Sequence, residues 1–447
     1  MVEIKLNNDV IEQIKDFVHY YLTEEQESLI DKLITDKELK ERYKKYGLCE
    51  TCKQPNTGYY CCQLCNSQHF KQNLKNRTSG NHDVDEFIQK AQLKAEDVYH
   101  TIEWIEYDKF EDVEYLGKGG FGTTFKAVWK DGHILGWDYN NNRWQRMSET
   151  KVALKCLHNS QDITADFLKE IESNILISDY EGVVRCFGIT KDPKTNNFMM
   201  VMELKNGSLR QHLNNNFISL SWRQKLRSLE DAYVTDLGLC QPANVKSSQN
   251  SNKKIYGVLP YVAPEVLRGK EYTQKSDIYG LGIIAYEFCT GFPPYHDIAH
   301  DEFLAMKICQ GLRPKCDYKI PQLVVDVINQ CWDADPLKRP NADELTKLFY
   351  ELFIKLKQSE VDSVIYRQVK ETDEINKKSS STVQSPLSST STLSYITHPQ
   401  AVYTSRLLNF KNLPEPKNAD KNDDLEYSDS LKMDFTKLDI NSKDESN

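Results

Sequence analysis

At 447 residues, with 39% hydrophobic and 11% aromatic residues, the chain has apolar material for one large core and a length that suits about three domains. The net charge of −9 is unevenly spread: residues 37–77 carry nine Lys and Arg against three Glu, whereas residues 420–447 carry four Lys against nine Asp and Glu. No apolar run approaches the ~18 residues of a membrane helix, and Met1-Val2-Glu3-Ile4-Lys5 opens without a signal-like apolar core, so no membrane span and an intracellular, cytoplasmic protein are expected. In that reducing compartment the twelve cysteines are expected as thiols or metal ligands rather than disulfides.

Residues 1–46 form a helical N-terminal segment. Ile11, Ile14, Val18 and Leu22, then Leu29, Leu33 and Ile34, fall at helical spacing and predict two short amphipathic helices.

Residues 47–85 follow as a cysteine module. Cys49, Cys52, Cys62 and Cys65 make a C-x2-C-x9-C-x2-C pattern, with the turn Pro55-Asn56-Thr57-Gly58 between the pairs. Two thiolates spaced by two residues can share one ion, and two such pairs complete tetrahedral Zn2+. Four ordinary reduced thiols are the other reading. Cys61 is a spare thiol, and His69 a candidate ligand or a surface residue. Four ligands leave no open position, which makes the expected zinc structural. The module resembles small zinc ribbons, which bind proteins or nucleic acids. The basic balance of residues 37–77 keeps an adaptor role open, although nucleic acid is not the expected partner.

A linker is expected over 86–102. Residues 110–203 are then strand-rich, broken by one helical stretch from Thr164 to about Ser178, while residues 262–357 show helical periodicity. A strand-rich half followed by a helical half predicts an α+β, two-lobed domain over 103–357.

Its motifs are specific in combination. Gly117, Gly119 and Gly122 form G-x-G-x-x-G between two strands, Phe110–Leu116 and Thr123–Trp129, instead of leading into a helix. Val152-Ala153-Leu154-Lys155 follows, then Glu170, Asp236-Leu237-Gly238 and Ala263-Pro264-Glu265. In this order the set resembles protein kinases, and the tyrosine-kinase-like group best. The resemblance implies that the glycines cover ATP phosphates and that Lys155 contacts them while pairing with Glu170. It further implies that Glu203 and Leu204, after the gatekeeper Met202, contact adenine, and that Asp236 holds Mg2+. Glu265 is implied to pair with Arg339, and Asp277 and Gly282 to lie on a helix that anchors the catalytic loop. Gly257-Val258-Leu259-Pro260-Tyr261 resembles a substrate-docking stretch, but Val258 stands where a threonine would mark Ser/Thr specificity. Serine/threonine against tyrosine specificity therefore stays open. Ser247, Ser248 and Ser251, among lysines, are candidate phosphorylation sites in the intervening loop.

One element is missing. Between Glu203 and Asp236 no H-R-D-x-x-x-x-N is found, so no catalytic base is assigned. Leu220 to Leu229 starts a helix, and Glu230-Asp231-Ala232-Tyr233-Val234 reads at once as the strand into Asp236. The resemblance implies a protein kinase homologue with ATP and a protein substrate or signalling partner, and with impaired transfer in this chain. Three readings are open: a full kinase whose product carries a further segment at this junction, a pseudokinase scaffold, and a zinc-module adaptor. From 358 to 447 the Ser, Thr, Lys and Asp content predicts a disordered, acidic tail.

Overall fold

Residues 8–46 form three helices, not two, because cap residues divide the apolar stripe. α1 (Asn8–Ile14) is capped by Asn7, α2 (Glu24–Leu33) by Thr23 in a reciprocal capping box with Gln26, and α3 (Lys37–Tyr46) by Asp36. The apolar spacing over Leu29, Leu33 and Ile34 stops short of α3, which begins at the Asp36 cap. Ile14, Ile30, Ile34 and Tyr43 bury together, and the Tyr43 hydroxyl donates to the Ile14 carbonyl at 2.9 Å. The computed structural model describes residues 5–59, 61–73, 78–119, 122–157, 160–177, 182–230, 234, 255–315, 318–357, 363–382 and 395–418.

α4 (Gln63–Asn73) and α5 (His82–Lys94) carry the chain from the cysteines to the sheet. The strands β1 (Glu103–Trp104), β2 (Phe110–Lys118) and β3 (Gly122–Trp129) come first. A separate hairpin of β4 (Ile134–Asp138) and β5 (Arg143–Arg146) is inserted before β6 (Thr150–Leu157). After α6 (Ala165–Leu176) the sheet is completed by β7 (Cys186–Lys191) and β8 (Phe198–Glu203). The order is β1-β7-β8-β6-β3-β2, antiparallel except for β1 beside β7.

The alternation of β6 positions the site. Val152 and Leu154 point into the cluster with Phe110 and Trp129, so Ala153 and Lys155 face the opposite side, where α6 lies. Thr164 caps α6 by accepting from the Phe167 amide, and Phe167 and Ile171 bury one turn apart against the sheet.

The second lobe comprises α7 (Leu209–Asn216), α8 (Trp222–Glu230), β9 (Ile255–Gly257), α9 (Pro264–Leu267), α10 (Gln274–Thr290), α11 (Glu302–Cys309), α12 (Gln322–Cys331) and α13 (Ala342–Lys357). α10 is apolar nearly all round and runs through its centre, capped by Thr273 and ended by Gly291 in the left-handed region. Gly282 lets α12 approach: a Cβ there would lie 2.6 Å from Cβ of Cys331. This is an α+β, two-lobed kinase-like fold.

Part of the region expected to be a tail is structured. α14 (Val364–Thr382) buries Ile365 in the same cluster as Trp222 and Leu226 of α8, and Asn376 exchanges two 2.9 Å hydrogen bonds with the Lys319 backbone. Residues 395–418 cross the lobe and supply β10 (Arg406–Leu408). Their composition is polar on average, but Ile365, Leu408 and Leu413 need no core of their own when a finished lobe offers one.

Candidate nucleotide site and metal centre

The sulfur atoms of Cys49, Cys52, Cys62 and Cys65 all lie within 4.8 Å of one another, with Cys49–Cys65 at 3.7 Å and Cys52–Cys62 at 3.5 Å. A tetrahedron with Zn–S bonds of about 2.3 Å has edges of about 3.8 Å, so the donor set fits structural zinc. The backbone amide of Thr51 points at Cys49 Sγ at 3.4 Å, a contact that favours thiolate. Cys61 is outside the quartet. It receives a hydrogen bond from Asn66, and burial pushes its thiol up to about 12, which keeps it protonated. His69 is also elsewhere: its ring stacks on Trp137 of the β4–β5 hairpin at 3.6 Å, and burial lowers its pKa. Phe70 stacks on Trp144 at 4.5 Å. The inserted hairpin thus clamps the cysteine module to the sheet, a contact missed from sequence although Asn140-Asn141-Asn142 between the two tryptophans is a turn signal.

In the sheet, β2 and β3 form the glycine hairpin. Gly117 stands opposite Thr124, and the Gly119 amide donates to the Gly122 carbonyl at 2.8 Å. The three glycines differ in what they serve. A Cβ on Gly122 would fall 2.2 Å from the Cys156 carbonyl, so strand packing requires it, whereas among the described residues a Cβ on Gly117 would meet nothing within 4 Å and one on Gly119 only the Gly122 carbonyl at 4.0 Å. Those two leave backbone clear for something outside the chain. Gly120 and Phe121 lie outside the described residues.

Lys155 pairs with Glu170: Nζ to Oε1 is 2.6 Å, with the side chains 12% and 4% exposed. Glu203, ending β8, stands opposite Val152, and its amide donates to the Arg185 carbonyl at 2.9 Å. Its carboxylate pairs with Lys205 at 2.5 Å. Met202 is buried and Leu204 half-buried at the start of the connection to α7. Asp236 and the serines 247, 248 and 251 lie outside the described residues. Val234, two residues before Asp236, is tied beside the strand leading into β7: its amide donates to the Gly182 carbonyl at 2.6 Å, and its carbonyl accepts from Val184 at 2.9 Å.

Below the sheet, Arg339 grips both oxygens of Glu265 at 2.7 and 2.8 Å and donates to the Lys275 and Asp333 carbonyls at 2.8 Å. Asp277, on α10, lines a cleft of about 460 Å³ together with Tyr256, Tyr261 and Gly280, and burial raises its pKa. A second polar node, missed from sequence, joins Arg210 of α7 to Glu287 of α10 at 2.6 and 2.9 Å and to the Tyr261 hydroxyl at 2.9 Å. Its members are up to 77 residues apart, and no local pattern marks them. Among the described residues no helix is long and apolar enough to cross a membrane.

The family model described as protein tyrosine and serine/threonine kinase matches the chain in two pieces, residues 110–233 and 226–349. The probable serine/threonine-protein kinase roco5 of Dictyostelium discoideum is 27% identical over 283 residues, which cover 53% of this chain and 9% of that protein. The dual specificity protein kinase shkE of the same organism is 25% identical over 288 residues, covering 59% and 39%. The Aurora kinase of Schizosaccharomyces pombe is 25% identical over 296 residues, covering 58% and 75%. The matches to roco5 and shkE thus span well under half of those proteins' own lengths.

Proposed function

Because this chain belongs to the protein tyrosine and serine/threonine kinase family, we propose that it binds ATP with Mg2+ between its two lobes and that phosphoryl transfer from this nucleotide to protein hydroxyls is impaired. The observation that carries the reading is the Lys155–Glu170 pair, 2.6 Å long and nearly buried, beside a glycine hairpin in which a Cβ on Gly117 or Gly119 would meet no described atom closer than 4.0 Å. A lone buried ammonium would be costly; Glu170 keeps Lys155 charged and aimed where phosphate oxygens would come. Gly117 and Gly119 offer backbone to the phosphates, Glu203 and Leu204 offer main-chain groups to the adenine, and Asp236 supplies the carboxylate for Mg2+. Bound Mg·ATP brings the transferable phosphoryl group. Impaired transfer is proposed because no H-R-D-x-x-x-x-N element lies between Glu203 and Asp236 in the sequence, so no residue is assigned as proton acceptor for the incoming hydroxyl. In this reading the protein acts in signalling through nucleotide-dependent shape and partner binding, and Cys49, Cys52, Cys62 and Cys65 hold a structural Zn2+ that completes the N-terminal module.

A second reading is a full kinase encoded with a further segment at the junction. It is favoured by the two-piece family match, whose parts overlap at 226–233, and by Asp277 facing a cleft beside α10. Sequencing the native transcript across Leu229 to Asp231 separates the two. An uninterrupted junction supports the first reading, and an inserted base aspartate with a downstream asparagine replaces it. Nucleotide binding is tested by thermal shift. At ATP–magnesium one hundredfold above Kd the stabilisation is about 2.7 kcal/mol, which Lys155→Ala should abolish. A melting shift unchanged by that substitution would remove the phosphate role of Lys155.

A further inference from the structure

Residues 395–418 form a strap across the helical lobe, and its centre is a strand added to β9. Arg406 stands opposite Gly257, Leu407 opposite Tyr256 and Leu408 opposite Ile255, antiparallel, and among the described residues β10 is the only strand that β9 pairs with. The strap is anchored on both sides of this ladder. Upstream, His300 Nδ1 lies 3.1 Å from the Val402 amide and 3.0 Å from the Val402 carbonyl, and its Nε2 lies 3.1 Å from the Tyr295 carbonyl, while the Tyr403 hydroxyl donates to the Pro294 carbonyl at 2.9 Å. Downstream, Leu408 and Leu413 are buried in the lobe core, and Arg268 holds the Glu415 carboxylate with both terminal nitrogens and the Leu413 carbonyl at 3.2 Å. Ser405, the last residue before the ladder, lines the same cleft as Asp277 and Tyr261, and its buried Oγ has no hydrogen-bond partner among the described residues.

We propose that the β9 edge is a docking strand for an extended peptide and that residues 403–408 are its resident occupant. Edge pairing is a backbone interaction. It accepts many sequences and takes its specificity from alternate side chains, here a hydroxyl at Ser405 over the cleft and an apolar residue three positions later, Leu408, in the lobe. The partner that fits is an extended segment of another protein with a hydroxyl residue followed three residues later by a leucine-like one. A tethered occupant acts at an effective concentration on the order of millimolar, so an incoming peptide competes only when the strap is loosened. The Arg268–Glu415 pair is the exposed anchor through which this can happen, because the Glu415 side chain is 77% accessible. The inference rests on the reading that residues 255–265 close a kinase activation segment.

The test uses the full chain and a labelled peptide of residues 401–410. Arg268→Glu should raise peptide affinity at least tenfold and speed hydrogen exchange at 255–257 and 406–408, and adding Glu415→Arg, which restores the pair with charges reversed, should return both to the starting values. Leu408→Asp is a second release variant in which the strand itself is expelled. No gain in peptide binding by either release variant, with the lobe folded by circular dichroism, overturns the proposal, as does unprotected exchange of the ladder in the unaltered chain. The ATP–magnesium melting shift is read on the same samples. Its absence alongside a peptide gain would fail the nucleotide reading and leave the docking strand standing.

Discussion

Arg339→Met should be among the most damaging single changes in the helical lobe. The Arg339 side chain is fully buried, and its four hydrogen bonds serve Glu265, Lys275 and Asp333, which are spread over three segments. Removing it strands the Glu265 carboxylate, itself only 6% exposed, and leaves two carbonyls without these donors. Breaking a buried pair from one side costs about 3–5 kcal/mol, and each abandoned carbonyl adds about 1 kcal/mol where water cannot reach it. Against a total stability of about 5–15 kcal/mol, a loss near 5 kcal/mol brings the lobe close to its threshold. At about 2–4 °C per kcal/mol for a domain of this size, the melting temperature should fall by roughly 10–20 °C. The double variant Glu265→Leu with Arg339→Met removes the charge that the single variant leaves stranded, and should recover more than half of the loss. Calorimetry or urea unfolding with an unchanged m-value is the assay. A single variant within about 3 °C of the parent, or a double variant no better than the single, would refute the account of Arg339 as the partner that makes a buried carboxylate tolerable.

Two further outcomes follow from the geometry. Chelation of zinc, or Cys52→Ser, should unfold residues 47–73 and free His69 and Phe70 from Trp137 and Trp144, which tryptophan fluorescence would record; fluorescence unchanged by a chelator that strips the metal would contradict a structural ion. His133 lies against Phe187, and burial followed by the Arg185 charge lowers its pKa to about 4. The unfolded chain takes up this proton near pH 6.5 and the folded chain only near pH 4, so the associated stability is complete above pH 6.5 and is lost as pH falls through that window. With solvent screening of a half-buried ring, the loss by pH 5 should be about 1 kcal/mol, and His133→Phe should flatten the profile between pH 7 and 5. A slope unaffected by that substitution would refute it.

Local rules reach far into this chain. Two-residue spacing joined Cys49 to Cys52 and Cys62 to Cys65, strand alternation turned Lys155 away from Val152 and Leu154, and the Thr164 cap began the helix that carries Glu170. The G-x-G-x-x-G loop was placed by the strands on either side of it, whereas the Ala-Pro-Glu triplet and the pairing of Glu265 with Arg339 were readable only through the resemblance to the kinase family. The gap between Glu203 and Asp236 could be read only against the family pattern, since it is an absence.

What the linear sequence could not decide is which distant surfaces meet. The third N-terminal helix depended on caps at Thr23 and Asp36 rather than on the apolar period. The β4–β5 hairpin finds its meaning only against His69 and Phe70, and Arg210 only against Glu287, 77 residues away. The strap is the clearest case: residues 395–418 look like solvated tail because composition averages over them, yet a few leucines and one strand's backbone groups suffice once the lobe has already met the entropic cost of building a core. Spacing and residue type therefore determined the elements and the candidate site, while the tertiary structure decided what covers them, because burial depends on what a segment meets and not on what it contains.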